Sequence, residues 1–166
     1  MLHSERPAEC PPSSTTSSDG AGDSFKRILV PVDAGDLSAA ALALAIRLCC
    51  DTESMLRVVH IRIFDRPVRN SGRFYPETSE AATAVLDNAV GRGWRFGTKA
   101  SGVVVEAERG HIAQAICAAA ADWNADVIVI ARRPRRAVIS LVFGSVADRV
   151  VRRANCPVLI VRPDPS

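Results

Sequence analysis

The sequence predicts an α/β fold: a doubly wound, mostly parallel sheet with helices on both faces. Three observations predict it. From Phe25 onward, short and nearly continuous apolar runs recur, the form taken by strands covered on both sides. Between them lie segments with apolar residues at helical spacing. Most links between the two kinds of segment are short, as βα and αβ connections are.

The elements follow in order. Lys26–Asp33, KRILVPVD, reads as the first strand, with Pro31 near its end, where the ladder is finishing. Gly35 and Asp36 make a turn, and Asp36 or Ser38 is expected to cap the next helix. That helix runs to about Cys50, with Leu37, Ala41, Leu44 and Leu48 along one side. Met55 to Ile63 is the second strand. Phe64 to Pro76 is a longer loop punctuated by Pro, Asn, Ser and Gly. Glu77 to about Trp94 is helical, with Ala82, Val85, Leu86, Ala89 and Val90 on its apolar side. Gly91, Gly93 and Gly97 are expected to fray or stop it.

Val103 to Ala107 is the third strand, and Gly110 opens a helix carrying Ile112, Ala115, Ile116, Ala119 and Trp123. Asp126 to Ala131, with Val-Ile-Val-Ile at its centre, is the fourth strand. An arginine-rich loop follows, then a helix from Gly144 to Ala154. Arg152 and Arg153 face the negative end of that helix, Asn155 is expected in the left-handed conformation after it, and Pro157 prevents its continuation. Val158 to Val161 is the fifth strand. In sheets of this kind, ligands sit outside the carboxyl ends of strands where the strand order reverses. If the first and fourth strands are neighbours, that place lies between Asp33 and the Ala131–Ser145 segment.

A length of 166 residues suits one domain, expected over residues 25–163, with a disordered tail over 1–24 rich in Ser, Thr and Pro. Hydrophobic content of 48% supplies a core, and no apolar run is long enough to span a membrane. The net charge of +3 is mild, but eight arginines crowd the last quarter: Arg132, Arg133, Arg135, Arg136, Arg149, Arg152, Arg153 and Arg162. Five cysteines, at 10, 49, 50, 117 and 156, form no C-x-x-C pair. Cys49, Cys117 and Cys156 read as reduced packing residues of a cytoplasmic protein. Three scattered histidines make no metal-ligand pattern, so no metal is expected. His60, in an apolar strand, reads as a hydrogen-bonded core histidine, and Trp94 and Trp123 as packing residues. No triad, paired carboxylates or Cys-His arrangement is identifiable, so the chain is expected not to be an enzyme. Aromatic content of 5% and no recognisable nucleic-acid motif make nucleic acid an unexpected partner.

ILVPVD in the first strand, VVHI in the second, GHIAQAICAAAADWNADVIVIA and FGSVADRVVRRANCPVLIVR resemble the universal stress protein family. The likeness runs from Lys26 to Arg162. It implies a five-stranded parallel sheet in the order 3-2-1-4-5, and a homodimer formed through the last strand, with an unknown regulatory protein partner. It also implies an ATP or AMP site, with magnesium, drawn from Pro31, Val32, Asp33, Ile61, Ala131, Arg132, Arg133, Gly144, Ser145 and Val146. Asp33 would meet the ribose or adenine, Ile61 would pack beside adenine, and Gly144, Ser145 and Val146 would contact phosphate.

The family's phosphate loop has the form Gly, two residues, Gly, nine residues, Gly, then Ser or Thr. Here the spacing is kept, but Ala131 and Pro134 stand at the first two glycines. Pro134 has no N–H and a fixed φ. A loop that wraps phosphate with backbone amides loses a donor there, at about 1.5–3 kcal/mol for a bond to a charged group. Guanidinium groups bind phosphate in a bidentate manner and offer compensation, at the entropic cost of ordering them. Two readings stay open: a non-catalytic stress-response module with a degenerate pocket, and a nucleotide binder whose 132–136 arginines replace the glycines. Asp33 as a turn residue and Ser145 with Asp148 as a capping box are structural alternatives at the same positions.

Overall fold

The computed structural model describes residues 25–66, 72–132 and 146–162. The expected tail over 1–24 lies outside these. The chain runs β1 (Arg27–Val32), α1 (Asp36–Thr52), β2 (Met55–Phe64), α2 (Ser79–Arg95), β3 (Lys99–Glu108), a tight helical turn (Arg109–His111), α3 (Ile112–Asp122), β4 (Val127–Ala131), α4 (Val146–Arg153) and β5 (Val158–Val161). The five strands form one sheet in the order β3-β2-β1-β4-β5, and every pairing is parallel. This is the expected topology. The order reverses at β1, whose chain leaves toward β2 and whose other neighbour is β4.

Alternation along the strands builds two cores. Ile28, Val30 and Val32 of β1 point to the side of α1 and α2, where Leu56, Val58, Val127, Leu42, Ile46 and Leu86 join them. Leu29, Val59, Ile61, Ile128 and Ile130 point to the other side and meet Ala113, Ile116, Ala147 and Val150 of α3 and α4. The central strands are therefore buried on both faces, which is why their sequence is a run and not an alternation. One carboxylate ties their starting ends together: Asp126, just before β4, accepts the backbone N–H of Lys26 at 2.8 Å and of Arg27 at 2.9 Å.

Several elements differ from expectation for identifiable reasons. The buried face of α1 is Ala41, Leu42, Ala45, Ile46 and Cys49, with Leu44 and Leu48 half-buried at its border. Alanines let the helix lie close to the sheet, so the seam runs through Ala41 and Ala45 with Leu42 and Ile46, and leaves Leu44 and Leu48 at its border. Gly35 is the N-cap of α1 without a side-chain bond, Asp36 is the first helical residue, and Ser38 lies inside the first turn.

The second helix does not fray at its glycines. It runs through Gly91 and Gly93 to Arg95, because Gly93 lies against β3. A Cβ there would sit 2.8 Å from the Ala100 Cβ and 2.9 Å from the Thr98 Oγ1. Close packing outweighs the poor helix propensity, and the turn comes at Gly97, where φ is 76°.

The third strand begins at Lys99, four residues earlier than expected. Its edge position leaves polar residues exposed while the backbone still pairs with β2. Among the described residues, positive φ at non-glycines occurs at Glu53 and Asn124, not at Asn155. The last helix ends at Arg153 and needs no left-handed residue at Asn155, with the Ala154 N–H reaching the Val150 carbonyl at 2.8 Å. Trp94 is 65% exposed, contrary to expectation, and its indole N–H caps the Ala100 carbonyl of the edge strand at 2.9 Å. Trp123 is half-buried, with the Arg57 guanidinium 5.1 Å above its ring.

Candidate functional site

The carboxyl ends of β1 and β4 open into a pocket of about 410 Å³. Its lining includes Pro31, Val32 and Asp33 from the end of β1, Ile61 and Ile63 from β2, and Ile130 and Ala131 from β4. Leu37 and Ser38 of α1, Ile112 and Ile116 of α3, and Val146 and Ala147 of α4 complete it. The location follows from topology: helices leave β1 and β4 toward opposite faces, and the divergence leaves a crevice. A larger cavity, about 630 Å³, lies between α3 and the edge strand β3. It includes no residue of β1 or β4, and its rim mixes Arg57 and Arg73 with Glu106, Glu108 and Asp122. The smaller pocket, at the reversal of strand order, is the better candidate.

Six of the residues predicted for the site meet in this pocket: Pro31, Val32, Asp33, Ile61, Ala131 and Val146. Arg132 stands next to it, but its guanidinium is engaged by Asp148 at 3.2 Å, with both side chains mostly shielded. Its backbone N–H also belongs to the sheet edge, bonded to the Val161 carbonyl at 2.9 Å. Arg133, Gly144 and Ser145 lie outside the described residues, as does Pro134. The sequence reading missed Leu37, Ala147 and the four isoleucines Ile63, Ile130, Ile112 and Ile116 of the apolar wall. Ile63 had a signal: it lies two residues past Ile61 and so shares its face of the strand. The α3 isoleucines had none, because which face of that helix looks into the crevice depends on where the helix crosses the sheet.

Asp33 sits at the exposed rim. Its carboxylate accepts the Gly35 N–H at 2.9 Å, and its carbonyl accepts the Ser38 hydroxyl at 2.9 Å. The same hydroxyl lies 2.8 Å from the Gly35 carbonyl. The turn role and a ligand role are compatible, since a carboxylate has about four acceptor positions. Among the described residues of the lining, Asp33 is the one ionisable side chain, and the rest is aliphatic apart from the Ser38 hydroxyl. Such a pocket suits a flat, largely apolar group bearing hydroxyls that can donate to a carboxylate.

Behind β2, His60 is the expected core histidine, 4% exposed, with Val32 and Glu77 as hydrogen-bond partners. Further out, Glu106 of β3 gathers Tyr75, Arg62 and Arg73. Tyr75 donates to it at 2.7 Å, and the two guanidiniums approach to 3.0 and 3.2 Å. The Tyr75 hydrogen bond, then the two positive charges, hold its carboxyl below the ordinary range. Arg109 does the same to Asp65 through a two-point bond at 2.8 and 2.7 Å. These contacts fasten the described ends of the β2–α2 connection to the sheet edge.

Three of the described cysteines are held away from the thiolate form. Burial, then Cys50 beside it, pushes the Cys49 thiol up to about 12. Burial likewise raises Cys117 and Cys156. None of the four described cysteines is in a disulfide. Among the described residues no group of three or more His, Cys, Asp or Glu is placed to hold a metal, and no helix is long and apolar enough to cross a membrane.

A model of the universal stress protein family matches residues 24–162. The chain belongs to the universal stress protein family. Its relatives include the universal stress protein YxiE of Bacillus subtilis, 26% identical over 150 residues, an alignment covering 83% of this chain and 99% of the relative. Among solved structures, a universal stress protein from Archaeoglobus fulgidus is 28% identical, with a TM-score of 0.64 over 82% of this chain and 98% of the other. A structure of the Archaeoglobus fulgidus protein in complex with dAMP is 27% identical, with a TM-score of 0.62 over the same shares, 82% and 98%. This universal stress protein therefore shares the fold of these relatives over about four-fifths of its length.

Proposed function

We propose that this chain is a non-catalytic, stress-response regulatory module whose pocket holds an adenine nucleoside monophosphate by its nucleoside half and grips the further phosphates of ATP poorly. The observation that carries the proposal is the juxtaposition of Asp33 with an isoleucine wall at the reversal of strand order. An adenine ring would lie against Ile61 and its neighbours, and a ribose hydroxyl would donate to Asp33. The relative from Archaeoglobus fulgidus, 27% identical, was solved with dAMP, which supports a monophosphate as the ligand class.

The weak phosphate grip rests on three features. Ala131 and Pro134 stand where the family's loop has glycines. Arg132 is already paired with Asp148, so recruiting it to a phosphate means giving up that pair. The absence of a catalytic step is part of the proposal: the pocket's one described hydroxyl, on Ser38, faces two backbone carbonyls and no base.

Calorimetric titration of nucleotide-free protein with AMP and ATP, with and without magnesium, tests it. AMP should bind, and ATP should bind no more than about threefold tighter. ATP binding more than about tenfold tighter than AMP, a difference of about 1.4 kcal/mol, would mean that the phosphates are gripped and the pocket is not degenerate. No binding of either would remove the nucleotide reading.

A homodimer through β5 belongs to the same proposal. That strand is a four-residue edge, and Leu159 on it is 39% exposed. An uncovered apolar edge is a template for pairing. Sedimentation of the full chain should give a dimer that Leu159→Lys shifts toward monomer, and a monomer at high concentration would refute it.

A further inference from the structure

We propose that His60 is a positioning residue of the nucleotide pocket, fixing the Val32 carbonyl and through it the direction in which Asp33 enters the site. The inference rests on the nucleotide-binding reading above.

His60 lies on β2 opposite Val32, the last register pair between β1 and β2. Its ring is buried, and its two nitrogens reach two different elements. The Nδ1 lies 3.0 Å from the Val32 carbonyl oxygen, which can only accept, so Nδ1 carries the proton of that bond. The Nε2 lies 2.8 Å from a Glu77 carboxylate oxygen, one residue before Thr78, the N-cap of α2. Glu77 is itself held through its carbonyl, which accepts the Arg62 Nε–H at 3.1 Å. The imidazole is therefore braced from behind by the approach to α2 and presses its other nitrogen on the end of β1.

The consequence for the pocket follows from peptide geometry. The Val32 carbonyl and the Asp33 N–H share one rigid plane. Holding the carbonyl sets that plane, and hence where the Asp33 Cα stands, from which the Gly35 N–H orients the carboxylate. On its far side Asp33 is held by local contacts, to the Gly35 N–H and the Ser38 hydroxyl. Beside the backbone pairing of the two strands, His60 adds a side-chain contact from β2 to the residue before Asp33, and β2 also carries Ile61 and Ile63 of the apolar wall. The carboxylate and the wall are thereby held in one frame, which is what a site needs if its donors and acceptors are to be preorganised.

A pair of amide substitutions separates this role from ordinary core satisfaction. In His60→Asn the side-chain NH2 falls near the place of Nδ1 and can still donate to the Val32 carbonyl. In His60→Gln the longer side chain carries its NH2 toward the place of Nε2 and Glu77, leaving Val32 without its donor. Both are neutral, polar and of similar volume. Two readouts are taken on each: AMP affinity by calorimetry, and amide hydrogen exchange at Gly35 in nucleotide-free protein.

His60→Asn should keep AMP affinity within about threefold of the native chain, and His60→Gln should lose about tenfold. Gly35 exchange should stay near native in the first and speed up in the second. Equal effects of the two substitutions, or the reverse order, overturn the inference. Glu77→Gln keeps a side-chain oxygen that can accept from Nε2, so the brace and the Nδ1 contact both remain and Gly35 exchange should stay native; faster exchange there also overturns it, whether or not the His60 variants fold. If the native chain binds no AMP, the nucleotide reading falls, and Gly35 exchange still decides whether His60 positions Asp33.

Discussion

Replacing Asp33 separates its two roles, because asparagine and alanine remove different things. Asparagine keeps an oxygen that can accept the Gly35 N–H, now at 2.9 Å, and removes the charge. Alanine removes both. The turn bond is exposed and joins residues two apart, so its loss should cost about 0.5–1.5 kcal/mol of stability. A hydrogen bond from a ribose hydroxyl to a carboxylate contributes about 1.5–3 kcal/mol, against about 1 for a neutral acceptor. Asp33→Asn should therefore keep native stability within about 0.5 kcal/mol and bind AMP roughly three- to thirtyfold more weakly. Asp33→Ala should lose stability as well, and bind AMP roughly ten- to a hundredfold more weakly. Urea denaturation reads the first quantity and calorimetry the second. Native AMP affinity in Asp33→Ala would refute the role given to the carboxylate. A loss of affinity that merely tracked the loss of stability across the two variants would show that the turn, and not the charge, matters.

Three further outcomes are expected. Asp126→Ala strands the Lys26 and Arg27 N–H groups that one carboxylate oxygen now accepts, and should lower unfolding free energy by about 2–3 kcal/mol in urea, since two charge-assisted bonds at an exposed strand end are removed; a change under about 0.5 kcal/mol would count against that tie. Gly93→Ala should destabilise although alanine is the better helix former, because the new methyl meets Ala100 and Thr98 at under 3 Å; a raised denaturation midpoint would mean that α2 can move off β3. Glu106 has a depressed folded-state pKa, so its contribution is present above the unfolded-state value of 4.5 and is lost as pH falls through the folded value. Stability measured from pH 6 downward should thus fall less steeply in Glu106→Gln than in the native chain, and parallel curves would dismiss the Tyr75–Arg62–Arg73 cluster as a source of acid sensitivity.

How much of this was legible beforehand varies by element. The strands β1, β4 and β5 appear within a residue or two of their expected ends, because burial on both faces, or at a terminating proline, writes itself directly into a local apolar run. The edge strand β3 was read short, because half of its residues face solvent and its N-terminal part is held by backbone pairing with β2, which leaves little mark on side-chain type. Gly91 and Gly93 read as helix breakers, whereas Gly93 is there because β3 passes within contact distance. The seam of α1 was read through Leu37, Ala41, Leu44 and Leu48; Ala41 lies in it, but it continues through Leu42, Ala45 and Ile46.

For the site, the strand pattern placed it between Asp33 and the Ala131–Ser145 segment, whereas Ile61 was named only by resemblance to the family. What joined them was the order of strands. Sequence alone determined that this chain makes strands and helices in alternation, with enough apolar surface for two cores, since those properties depend on local spacing and composition. Tertiary structure decided which side chains share a pocket. It placed Ile112 and Ile116 against Ile61, paired Arg132 with Asp148, and set His60 between Val32 and Glu77. Those contacts join residues far apart in the chain, and their distances are fixed by where helices cross the sheet, a quantity that no local pattern encodes.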